Sequence, residues 1–133
     1  VTPRLLRAFR ATRYEAGGVA IGVGERSAAM DALLARHGAR RAAFVTAWNP
    51  RSRRMPRGWN ERMQRALRQA ASGRVLAEGV GRGRCWAERH LLVAGDPRWL
   101  RALARRFRQH AILAIAAGAP ARLVTAARNR SPA

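Results

Sequence analysis

The run Ala111 to Ala117, AILAIAA, constrains the fold more than any other stretch of the chain. It is apolar at successive positions, so as a strand it offers water no face and must lie centrally or under cover in a sheet. A second run, Ala42-Ala43-Phe44-Val45, also reads as buried. Both need other elements to pack on them. At 133 residues the chain can bury roughly two-thirds of the surface it exposes unfolded, enough for one domain without cross-links. Hydrophobic residues are 48% and charged residues 26%, a globular rather than a disordered composition.

Periodicity around these runs predicts the remaining elements. Leu5, Leu6 and Phe9 recur at helical spacing behind Pro3, with Arg4, Arg7, Arg10 and Arg13 alongside, which predicts an amphipathic first helix with an arginine face. Val19 to Val23 reads as a short strand after Gly17-Gly18. Ser27 is placed to cap a helix with Met30, Leu33, Leu34 and His37 inward, stopped by Gly38. Arg41 to Trp48 reads as a strand, followed by a Pro, Arg and Gly loop through Gly58. The next helix turns Trp59, Met63, Ala66, Leu67 and Ala70 inward and ends at Gly73. Arg74 to Val80 and Cys85 to Ala94 read as a hairpin turning at Gly81-Arg82-Gly83. Asp96-Pro97 opens a helix with Trp99, Leu100, Leu103 and Phe107 buried, and a last hairpin turns at Gly118-Ala119-Pro120 into Ala121 to Thr125.

The order α-β-α-β-α-β-β-α-β-β specifies a single α+β domain, residues 1–125, with helices on one mixed sheet of about six strands; residues 126–133 read as a flexible tail. The first βαβ unit is expected to cross over right-handed and make strands 19–23 and 41–48 parallel.

All 27 basic residues are arginine, and only seven acidic residues oppose them, for a net charge of +20. The absence of lysine fits codon bias, but exchanging one base for the other does not alter charge, so the positive field stands. It favours nucleic acid or another polyanion as partner, since guanidinium forks grip phosphate in a bidentate way. A merely solvated basic surface is the competing reading, as no basic tail or nucleic-acid motif accompanies the charge. Arg62, Arg65 and Arg68, on the exposed face of the second packed helix, are the candidate anion contacts. Trp48 or Trp59 could stack on bases if exposed.

The buried run at 42–45 ends abruptly in Thr46-Ala47-Trp48-Asn49-Pro50-Arg51-Ser52, as a strand does when it delivers polar groups to a site at its mouth. Together with Arg10-Ala11-Thr12-Arg13-Tyr14, Asn60, Trp86-Ala87-Glu88 and Phe107-Arg108-Gln109, this motif resembles an uncharacterised bacterial family, domain-of-unknown-function family 3293, over nearly the whole chain. The resemblance brings no activity, ligand or catalytic residue, and His110 stands where its pattern leads one to expect Asn.

Alternation places Phe44, Thr46 and Trp48 on one strand face, and Trp86, Glu88, His90 and Leu92 on another. Asn60 shares a helical face with Met63 and Leu67. The sequence therefore predicts a pocket lined by Thr46, Trp48, Asn49, Asn60, Glu88 and Gln109. A structural reading of the same residues is a turn at Asn49-Pro50, an N-cap at Asn60 and an arginine partner for Glu88. A buried Glu88 must be either ionised and paired, or neutral and hydrogen-bonded.

Other signals are weaker. Gly22-Val23-Gly24-Glu25-Arg26-Ser27 lacks the third glycine and the downstream acid of a dinucleotide fingerprint. Cys85 and His90 fall short of four zinc ligands and, five apart on a strand, face opposite ways, so neither a metal nor a covalent nucleophile is expected. No cofactor is implied. No apolar stretch is long enough to span a bilayer, and a lone cysteine without a signal peptide points to the cytoplasm. Two classes of function remain: a non-enzymatic module for an anionic polymer, favoured by charge, and a small enzyme or ligand sensor with Glu88 as its acid or base, favoured by the polar constellation.

Overall fold

The computed structural model describes residues 1–127. Side-chain caps start three of the four helices among the described residues. Helix α1, Pro3–Ala11, begins where the Thr2 hydroxyl accepts the Leu5 N–H at 3.1 Å; α2, Ala28–Arg36, where Ser27 accepts Met30 N–H at 3.0 Å; and α4, Pro97–Arg106, where Asp96 accepts Arg98 N–H at 2.8 Å. Helix α3 spans Arg57–Ala70. The strands are β1 Arg13–Ala16, β2 Val19–Ile21, β3 Arg41–Val45, β4 Val75–Arg82, β5 Ala87–Ala94, β6 Ala111–Ala116 and β7 Arg122–Thr125.

The α+β class and the element order are as expected, but the sheet corrects the expected pairing. It has seven strands in the order β2-β1-β4-β5-β3-β6-β7, and every neighbouring pair is antiparallel rather than mixed. The unread strand is β1. Its Arg13 continues the arginine row of α1, yet Thr12 is already extended (ψ 136°) and its N–H closes the helix on Phe9 O. Gly17 and Gly18, at φ 54° and 80°, then turn the chain straight back into β2, which pairs with β1 and never reaches β3. Strands β2 and β3 do run the same way, but with β1, β4 and β5 between them.

Strand β3 explains why both sheet faces are covered. Ala43 and Val45 pack with Leu67, Leu100, Leu103 and Phe107 under α3 and α4, while Ala42 and Phe44 pack with Met30, Leu33 and Leu34 under α2. Coverage is uneven. The face under α3 and α4 is closed over β3, β5 and β6, but on β1, β2 and β4 it stays open, and Glu15, Ala20 and Glu78 meet solvent there at least in part. Helix α1 has no fully buried residue; its apolar stripe, Leu5, Leu6 and Phe9, is only half-buried. At the other end Ala126 is buried and its N–H donates to His110 O at 2.8 Å, so packing continues to that residue. The expected tail otherwise falls on residues 128–133, outside the described residues.

Candidate functional site

Thr46 ends β3 sooner than the expected Trp48. Its hydroxyl donates to Arg89 O at 2.6 Å and accepts Trp48 N–H at 3.0 Å, a local turn that diverts the backbone from the ladder. Asn49 follows in the left-handed region (φ 46°, ψ 64°), and Arg51 and Ser52 join it at φ 53° and 61° around the single 3-10 turn Pro50–Ser52. Asn tolerates this backbone, but for Arg and Ser it costs of order 1 kcal/mol each and persists only where neighbours hold it.

The neighbours are the other sequence-predicted residues. Asn49 N–H donates to Asn60 Oδ1 at 2.9 Å, and Asn60 Nδ2 donates back to Asn49 Oδ1 at 2.9 Å. Met55 N–H also donates to Asn49 Oδ1 at 2.9 Å, which fixes the amide's orientation and leaves Asn49 Nδ2 to donate to Glu88 Oε1 at 2.9 Å. Gln109 Nε2 donates to Trp48 O and Phe107 O at 3.1 and 3.2 Å, and Arg51 N–H donates to Arg108 O at 2.7 Å. Thr46, Trp48, Asn49, Asn60, Glu88 and Gln109 therefore lie together at the end of β3, in two hydrogen-bonded sets joined through the Trp48–Asn49 peptide, with Trp48 contributing its backbone. Its indole Nε1 is buried without a partner.

The space this cluster encloses is small. A cavity of about 50 Å³ is bordered by Thr46, Asn49, Glu88, His90 and Gln109, with Phe9 of α1 over it. That holds a few waters, well short of the several hundred Å³ of a typical ligand pocket. Asn60, 2% exposed, does not border the cavity; it braces Asn49 from α3.

Burial sets the electrostatics. It raises the Glu88 carboxyl above its ordinary range, with the Asn49 amide pulling the other way. It lowers His90 to about 4, so the ring is neutral; because Glu88 O can only accept, His90 Nδ1 carries the proton at 3.0 Å and Nε2 is left as an acceptor. Burial likewise pushes Tyr14 up to about 12, where it meets the His90 ring edge-on at 5.5 Å. Gly81, which the sequence reading gave to the hairpin turn, lies inside β4, and a Cβ there would stand 2.7 Å from His90 Cε1. The glycine makes room for the ring.

Glu88 has no arginine partner among the described residues, against the structural expectation. Five of the seven acidic residues are ion-paired, Arg13–Glu25, Arg41–Asp96, Arg57–Glu61, Arg68–Glu78 and Arg82–Glu15, but Glu88 is held by an amide alone. The candidate anion contacts Arg62, Arg65 and Arg68 are all exposed on α3, with Arg68 bound to Glu78 at 2.8 Å. The tryptophans correct the sequence reading: Trp48 and Trp59 are half-buried, whereas Trp86 is 44% exposed beside Gly83 at the tip of the β4–β5 hairpin. Among the described residues no three His, Cys, Asp or Glu side chains come together to hold a metal, and no helix is long and apolar enough to cross a membrane.

A family model described as "Protein of unknown function (DUF3293)" matches residues 45–112, from the last residue of β3 into β6. The chain belongs to this family. The matched segment carries every residue of the polar cluster, while α1, the β1–β2 hairpin and α2 lie before it. No curated protein and no solved structure matches the chain.

The sequence reading missed Gln64. It lies four residues after Asn60 on the same helical face, a spacing that could have revealed it. Its Oε1 accepts Ala47 N–H at 3.0 Å, and it is 9% exposed, yet its Nε2 has no partner.

Proposed function

We propose that this domain is a non-enzymatic module that binds an anionic polymer, nucleic acid by chemical class, at the Trp86 end of the β4–β5 hairpin. The observation that carries this reading is an exposed tryptophan on a rim whose residues are flanked in the chain by unpaired arginines. Trp86 shares the rim of the small cavity with Ser52 and His110, and Arg51, Arg53, Arg54, Arg84 and Arg108, each within two residues of one of these three, are exposed, with no carboxylate partner among the described residues. Guanidinium groups draw the phosphates and an indole face stacks on a base, a combination that tolerates any sequence. Fluorescence anisotropy with a labelled single-stranded oligonucleotide tests it. Affinity should fall steeply with added salt, and Trp86→Ala should lower it about tenfold at fixed salt. A flat salt response, or full affinity in Trp86→Ala, would count against this function.

A second reading, a small enzyme or ligand sensor, draws on Glu88. In a chain with 27 arginines a carboxyl with no guanidinium partner among the described residues, and with its protonation shifted toward neutrality, has the character of a general acid or base. Glu88→Gln separates the readings, because it removes acid-base chemistry and leaves the Trp86 surface intact.

A further inference from the structure

A larger cavity lies away from the polar cluster. It is a cleft of about 960 Å³ between α3 and the uncovered strands β1, β2 and β4, on the sheet face opposite the Glu88 and His90 side chains. Its walls carry Glu15, Glu61 and Glu78 against Arg65, Arg68 and Arg89. The three carboxylates are already taken: Glu78 pairs with Arg68 at 2.8 Å, Glu15 with Arg82 at 3.4 Å and Glu61 with Arg57 at 3.0 Å. Arg65 and Arg89 have no ion pair among the described residues, so the cleft keeps two uncommitted cations. Between the walls the lining is small and apolar, with Ala16, Ala20, Val80 and Leu91.

Gln64 makes this more than an open groove. It belongs to the cleft lining and is 9% exposed, and its amide oxygen is fixed by the Ala47 N–H at 3.0 Å. That bond forces Nε2 to be the free end, a buried donor with no acceptor. A buried amide proton left unpaired costs about 1–3 kcal/mol; Nε2 lies closed off behind the cleft lining, so an acceptor from the cleft recovers this cost once the Gln64 side chain turns outward to meet it. Two guanidinium groups and an amide donor suit a phosphate, while paired carboxylates along the walls still have lone pairs that accept from hydroxyl groups.

We propose that this cleft binds a small phosphorylated polyhydroxy compound, a sugar phosphate by class, with its phosphate at Arg65, Arg89 and Gln64 and its hydroxyls toward Glu15, Glu61 and Glu78. The site is separate from the Trp86 surface, so either assignment can fail without the other.

Isothermal titration calorimetry of the full chain with ribose 5-phosphate, inorganic phosphate and ribose tests it. One saturable site should appear for ribose 5-phosphate, tighter than for phosphate or ribose. Gln64→Glu keeps an acceptor for Ala47 N–H but replaces the donor with a group that repels phosphate. It and the double variant Arg65→Ala/Arg89→Ala should each weaken binding at least about tenfold. Arg4→Ala/Arg7→Ala, on α1, should leave affinity unchanged. No saturable binding of ribose 5-phosphate, equal affinity for inorganic phosphate, or equal weakening by the α1 variant would each overturn the proposal; circular dichroism of the Gln64 variant excludes misfolding as the cause.

Discussion

Asn60 and Gln64 stand one turn apart on the buried face of α3, both are amides, and both reach across to the segment that leaves β3. Asn60 finds Asn49, and each of its polar ends is matched in a closed cluster. Gln64 finds only the Ala47 N–H and keeps a bare donor in the wall of the cleft of about 960 Å³. The same residue chemistry thus does two jobs. Where every bond is made, the amide holds a left-handed backbone in place and fixes a loop. Where one bond is missing in the lining of a cleft, the amide keeps a donor that a ligand could claim. Hydrogen-bond completeness, more than residue type, separates scaffold from site here.

The largest expected effect sharpens the scaffold half of that contrast. Asn60→Ala removes the acceptor of Asn49 N–H and the donor to Asn49 Oδ1 and Met55 O, and should cost about 4 kcal/mol in urea unfolding. A loss under about 1 kcal/mol would show that the loop does not depend on this cluster.

The next effect is a pH dependence centred on His90. Its folded pKa, lowered to about 4 from 6.5, lies below the unfolded value, so the unfolded chain takes up the proton first and stability falls as pH drops between those values. Between pH 7 and pH 5 the loss should be about 2 kcal/mol. Glu88 acts in the opposite sense, because its raised folded pKa makes the native state hold its proton more tightly and gain stability as pH falls toward the ordinary carboxylate range. Urea titrations in a Glu88→Gln background isolate the histidine. If a further His90→Gln substitution leaves the pH slope unchanged there, the ring is not buried neutral.

The smallest effect is that of Glu88→Gln itself at pH 7. The new amide keeps an oxygen for Asn49 Nδ2 and removes a poorly solvated charge, so stability should be unchanged or rise by up to about 1 kcal/mol. A loss of several kcal/mol would reveal a buried cation that depends on Glu88 and would return this carboxyl to the scaffold.

Much of this was legible in the chain because the signals were local. Pro3, caps at Ser27 and Asp96, and helical stripes placed the helices, and six of the seven strands lie where apolar runs or glycine turns set them. Polar groups in apolar company identified the cluster of Asn49, Asn60 and Glu88. Strand β1 was hidden because it has four residues and begins on an arginine in phase with the helix before it. Losing it suggested a parallel pair, and also concealed the cleft, which has β1 and β2 for a wall. Gly81 misled in a similar way: glycine in a strand can mean a turn or a close approach, and only the position of the His90 ring decides between them.

Strand β3, apolar toward both layers, has a further consequence for how the molecule comes to be. Its partners are β5 and β6, both encoded far downstream: Phe44 meets Leu92 on one side and Leu113 on the other. Until those segments exist, this strand has nothing to pair with, and the sheet available is the β1–β2 hairpin, joined later by β4 on β1. Such distant contacts make folding slow and late, and leave an unpaired apolar strand on the nascent chain. The high positive charge is then useful at a stage before any ligand is met, since mutual repulsion keeps incomplete chains apart while β3 waits for its neighbours.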